Sequence, residues 1–184
     1  MCGGSEGQVL QERKVVTMQQ LTKNVFTETE IRGCNPSIVF TKEGSVFIDT
    51  AQWITTLLEM RQFALERGPI KYLINTEPHI DHIFGNHWFA GECPVIGHER
   101  IAASFWKIPP SFEMDTYDYS LDVIRRQDPD GLKHMPPKEA YIVNPPQITF
   151  SDSMTLKLGK TEKGMRRMEE KRNRESLGSR MGFI

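Results

Sequence analysis

Apolar residues in this chain come in short runs separated by Gly, Pro and charged clusters, the layout of a layered α/β fold. Residues 25–29 read as a short strand. Ser37-Ile38-Val39-Phe40-Thr41 and Ser45-Val46-Phe47-Ile48-Asp49 flank Lys42-Glu43-Gly44, a hairpin pattern in which Gly supplies the turn. From 53 to 67, Ile54, Leu57, Leu58, Ala64 and Leu65 fall on one helical stripe, which Gly68-Pro69 closes. Residues 70–74 form the next strand. A strand, helix, strand succession predicts parallel pairing with a right-handed crossover. A short strand at 93–97 and a short helix at 99–105 follow.

Between Pro109 and Pro146 the composition shifts to Pro, Asp, Tyr and Met. This reads as a long irregular insertion with a helix near 121–126, of the kind that lines a substrate cleft. Residues 148–150 and 154–158 flank Ser151-Asp152-Ser153 and predict a second hairpin. From Lys160 onward there are eight Lys/Arg and four Glu with scattered apolar residues, the pattern of a solvated or disordered tail. The predicted organisation is a flexible extension at 1–18, one domain at 19–159 and a basic tail at 160–184. No internal repeat is present.

Composition narrows the function classes. At 184 residues, 38% hydrophobic and 26% charged, the chain has the make-up of a soluble globular protein. Its formal net charge of −1 gives no reason to expect nucleic acid as a partner. No apolar run approaches a membrane span and no secretory pattern is legible, so no membrane partner is expected. Cys2, Cys34 and Cys93 are too widely spaced for a disulfide scaffold and suit a reducing compartment. The expected location is the cytoplasm.

The densest chemistry lies in Thr76-Glu77-Pro78-His79-Ile80-Asp81-His82. Pro78 biases Glu77 toward extended geometry, and in an extended segment residues two apart share a face. Glu77 and His79 should therefore project together, with Asp81 and His82 following at the turn out of the strand. Two neighbouring metal positions suit this spacing, one at Glu77 and His79, the other at Asp81 and His82. Imidazole and carboxylate are ordinary zinc ligands, and a catalytic site leaves a position for water. Metal-activated water attacks carbonyl or phosphorus centres near neutral pH. His87 and His98 read as packing or surface histidines, His134 as solvent-exposed, and Cys34 and Cys93 as buried apolar residues. Trp88, Phe89, Trp106 and Phe112 are core residues by default, with a cleft wall as the alternative.

The segment resembles the His-x-His-x-Asp-His signature of the metallo-β-lactamase-fold hydrolases, matched at His79, Asp81 and His82. Asp49, at the end of an apolar strand and before Thr50, resembles that family's strand-Asp-Thr element. Gly97-His98-Glu99 and residues 148–159 resemble later pieces, so the resemblance covers about 19–159. It implies an αββα sandwich and a metal-dependent hydrolase acting on a small-molecule ester, thioester, lactam or phosphodiester. It further implies Glu77, His79, Asp81 and His82 as ligands of up to two zinc ions. Asp81 would be the catalytic residue that binds metal and orients the nucleophile, and Asp49 a partner behind the ligands.

Two departures qualify the resemblance. Glu77 stands where the family has its first His, and a carboxylate moves preference toward iron or manganese. After Gly159 the chain has no His, so the resemblance is to the N-terminal part of the sandwich, incomplete at its C-terminus. With two ligands per ion where about three are usual, the expectation is either weak metal binding or a site completed by another chain. An uncovered sheet face would favour a homo-oligomer. The alternatives to a hydrolase are thus a catalytically impaired metal-binding or assembly fragment, and a di-iron redox protein of the same fold.

Overall fold

A computed structural model describes residues 18–105, 116–159 and 182–183. The predictions for Cys2, Trp106, Phe112 and most of the two terminal segments lie outside the described residues. Seven strands form one mixed sheet in sequence order: β1 (Gln19–Thr22), β2 (Val25–Thr27), β3 (Ser37–Thr41), β4 (Gly44–Ile48), β5 (Ile70–Asn75), β6 (Val95–His98) and β7 (Ile148–Phe150). The first four run antiparallel, and β4 to β7 pair in parallel.

The predicted hairpin joins β3 to β4. Gly44 is required there twice: its φ is +135°, and a Cβ at this position would come within 2.3 Å of the Pro69 carbonyl oxygen. Helix α1 (Ile54–Leu65) makes the crossover to β5. The two sheet faces separate as the period-two pattern requires. Phe47, Leu73 and Val95 pack with Leu57, Met60 and Ala64 under α1, while Val46, Ile74 and Ile96 turn to the opposite face.

The second predicted hairpin does not form among the described residues. Ile148–Phe150 adds to the sheet edge beside β6, with Gly97 opposite Thr149, and does not pair with the residues after Ser153. Instead Met154, Leu156 and Leu158 pack onto the face bearing Val46, Ile74 and Ile96, and Thr155–Leu156 (β8) pairs with Gly182–Phe183 (β9). Val46, Ile74 and Ile96 are each 1% exposed, so the centre of the face expected to be bare is covered. Burying those apolar side chains outweighs closing a short ladder at the sheet edge.

The insertion is more ordered than its composition implies. After the short helix α2 (Ile80–Ile83) and α3 (Glu99–Ser104), it carries α4 (Thr116–Gln127), which begins five residues before the predicted helix, and two short 3-10 helices at Pro129–His134 and Lys138–Ala140. Tyr117, Ser120 and Ile124 of α4 are buried, and Ile124 packs with Ile54 and Phe84. Asp128, just beyond α4, accepts hydrogen bonds from Thr55 N (2.9 Å) and Thr55 Oγ1 (2.6 Å). It thereby caps α1, whose own N-cap residue Trp53 provides no side-chain cap.

Candidate metal centre

The carboxyl ends of β4 and β5 deliver the site, where ligands bind in open α/β sheets. Asp49 leaves β4 with φ +58°. Its two oxygens accept from Thr76 N (2.8 Å) and Thr76 Oγ1 (2.6 Å), tying the end of β4 to the start of the motif. The residues after β5 then turn into α2, whose first residue is Ile80 and whose N-cap is His79.

That helical turn carries His82 back toward Glu77. Its carbonyl accepts from Thr50 N (2.9 Å), Thr50 Oγ1 (3.0 Å) and Asn75 Nδ2 (3.3 Å). The Thr50 hydroxyl also accepts from Gly85 N (2.9 Å). The ring then lies between carboxylates. Nδ1 is 2.9 Å from Asp49 Oδ2, while Nε2 is 2.8 Å from Glu77 Oε1 and 3.7 Å from Asp81 Oδ2. The contact with Asp49 is close but off hydrogen-bond alignment, leaving Nδ1 buried without an aligned partner. Burial lowers the His82 pKa, but Asp49, Asp81 and Glu77 together outweigh it, so the ring titrates above the ordinary histidine range.

Glu77 and His79 share a face as the extended geometry requires, and Glu77 Oε2 contacts His79 Nδ1. His79 is 73% exposed at its side chain, open to an incoming ligand. Both expected pairs are in contact, Glu77 with His79 and Asp81 with His82, and Glu77 also reaches His82. Among the described residues no three His, Cys, Asp or Glu side chains stand as a ready-made metal array; the donors are paired with one another. The segment offers two imidazoles and two carboxylates in pairwise contact, and the other nitrogen of His82 lies against the Asp49 carboxylate. That donor chemistry fits a divalent ion, whose binding would exchange carboxylate–imidazole contacts for metal bonds.

The other singled-out residues take structural places. His87 stacks on Tyr141 at 5.1 Å, and its Nδ1 accepts from Ile142 N (2.9 Å). His98 Nδ1 accepts from Arg100 N at the start of α3, and its Nε2 lies 2.9 Å from Ser151 O. His134 is exposed. Phe89 is buried against Phe47, and Trp88 is half-buried. Cys34 and Cys93 are both buried, and burial raises the Cys93 thiol to about 12. Sequence reasoning missed Thr50, Thr76 and Asn75; the Asp-Thr dipeptide at the end of an apolar strand was the available signal for Thr50.

Residues 30–151 match the metallo-beta-lactamase superfamily, and the chain belongs to that superfamily. Among solved structures it is similar to a metallo-beta-lactamase from Pontibacter korlensis, at 23% identity with a TM-score of 0.43 over 50% of this chain and 47% of that one. It is likewise similar to one from Hirschia baltica, at 19% identity and TM-score 0.44 over 51% and 48%. A third similarity is to the mono-zinc form of FIM-1 from Pseudomonas aeruginosa, at 19% identity and TM-score 0.41 over 48% and 44%. The matched part thus spans about half the length of each of these structures. Comparison with curated proteins gives no match. The α/β class and the metallo-β-lactamase fold are as expected from the sequence. No helix among the described residues is long and apolar enough to cross a membrane.

Proposed function

We propose that this chain is a metal-dependent hydrolase in which Glu77, His79, Asp81 and His82 together hold one divalent ion. The observation that carries this reading is the setting of His82, whose Nε2 faces Glu77 and Asp81 while Asp49 backs its other nitrogen. Two imidazoles and two carboxylates can supply the three protein ligands that a catalytic ion needs beside a water, once the carboxylate–imidazole contacts open. Zinc suits the two imidazoles, and the Glu77 carboxylate extends the range to manganese or iron. A divalent ion there supplies Lewis-acid polarisation of the scissile bond and activation of water.

The protein's own groups do the rest. Asp49, fixed by Thr76, stands 2.9 Å from His82 Nδ1 and would orient the ring once a small turn brings the N–H into line. Asp81, half-buried at the site, uses its free carboxylate oxygen to orient the attacking water. Exposed His79 closes the open side. Esters, thioesters, lactams and phosphodiesters all suit such a centre, because the motif builds the nucleophile's setting and leaves the pocket open.

The test is hydrolysis of a chromogenic lactam, a thioester and bis-nitrophenyl phosphate with zinc or manganese added. Turnover of at least one, lost in His79→Ala, supports the reading. No turnover of any substrate, or turnover unchanged in His79→Ala, overturns it.

A further inference from the structure

Asp81 is gripped from outside its own segment. The loop between β2 and β3 closes on itself through Glu28 N donating to Pro36 O (3.0 Å) and plants Ile31 against the main core cluster. It then brings Gly33 and Cys34 onto Asp81, 47 residues further along the chain. The Cys34 thiol lies 2.9 Å from the Asp81 carbonyl oxygen and 3.2 Å from the Thr50 carbonyl oxygen. It therefore bridges the backbone after β4 to the backbone of the motif. Gly33, at φ +114°, lies directly against the carboxylate: a Cβ there would sit 3.0 Å from Asp81 Oδ2 and 3.2 Å from Asp81 Cβ.

We infer that Gly33 and Cys34 are positioning residues for Asp81, the glycine setting where its carboxylate lies and the thiol setting its backbone. Two independent contacts from one anchored loop converge on a single residue. One acts on side-chain position by leaving room, the other on main-chain position by hydrogen bonding. Neither touches the ion or the substrate. The inference rests on the metal reading of Glu77 to His82.

Cobalt(II) titration of the full chain tests it, because the visible spectrum of the bound ion reports its ligand geometry and the titration reports affinity. Wild type is compared with Cys34→Ser, Cys34→Ala and Gly33→Ala, and the thermal midpoint of each metal-free protein is recorded alongside. Cys34→Ala and Gly33→Ala should each weaken cobalt binding by about tenfold or more and shift the visible bands. Cys34→Ser, which keeps a donor, should restore most of the affinity and the wild-type bands. Wild-type affinity and spectrum in both Cys34→Ala and Gly33→Ala overturn the inference and leave the metal reading standing. A lowered midpoint with unchanged bands likewise overturns it, since that marks a structural role alone. Absence of cobalt binding in wild type overturns the metal reading itself. If Cys34→Ala does not fold, Gly33→Ala on the exposed turn decides by the same two readouts: weakened binding with shifted bands supports the inference, and wild-type binding and bands overturn it.

Discussion

Asp49 Oδ2 lies 2.9 Å from His82 Nδ1, while Thr76 donates two hydrogen bonds to the same carboxylate. A strand-end acid thus stands against the ring whose opposite nitrogen faces Glu77 and Asp81. Such partners behind a ligand orient it and raise its basicity. Asp49→Asn should leave the fold intact, since Asn tolerates the positive φ found here. Zinc affinity should fall by roughly 10- to 100-fold, as read by calorimetric titration. Unchanged affinity in a folded variant would refute this role.

Helix α1 depends on a cap from the insertion. Removing the Asp128 carboxylate leaves Thr55 N without its acceptor at the first turn. Asp128→Ala should therefore lose about 1–2 kcal/mol of stability, measured by urea denaturation. Thr55→Ala should lose less, because its backbone N–H keeps the Asp128 partner.

Gly85 follows the motif at a point of close approach. A Cβ there would come within 2.4 Å of Leu57 Cδ2 and 2.6 Å of Thr50 Cβ. Gly85→Ala should cost about 1–3 kcal/mol through overpacking. Adding Leu57→Ala should cost less than its effect in wild type, because it removes one clashing group. Additive losses in the denaturation midpoints would contradict this account.

His87 gives a pH dependence. Burial lowers its pKa, so the folded protein binds a proton there less readily than the unfolded chain does. The unfolded chain then takes up more protons as pH falls through the ordinary histidine value, about 6.5, and stability contributed here is lost. It is fully present above that pH and declines toward the lowered folded pKa. The stability difference between wild type and His87→Gln, measured by urea denaturation, should shrink between pH 7.5 and pH 5.5. A constant difference would mean that His87 does not titrate in this window.

The central sheet was legible because β3, β4, α1 and β5 carry apolar periods that only one arrangement buries. β1 was not: its four residues are all exposed, and backbone pairing alone, Gln20 opposite Phe26, makes it a strand. The segment after β7 misled because Ser151-Asp152-Ser153 has turn chemistry. Its Met154, Leu156 and Leu158 answer instead to a sheet face assembled from Val46, Ile74 and Ile96. At the site, the shared face of Glu77 and His79 followed from a period of two. The return of His82 onto Glu77 did not, since it needs the helical turn at Ile80–Ile83 and the Thr50 and Asn75 donors that hold its carbonyl. Cys34 reaches Asp81 only through the folded β2–β3 loop, a contact that no local spacing encodes.

The most direct test counts metal on the protein. Wild type and His82→Ala are dialysed to equilibrium against zinc, passed through gel filtration and analysed by ICP-MS. Pooled on one ion instead of divided between two, the four donors of Glu77, His79, Asp81 and His82 predict about one retained zinc per wild-type chain and little in His82→Ala. No retained zinc in wild type, or equal amounts in the two proteins, would contradict the assignment of Glu77, His79, Asp81 and His82 as one metal site.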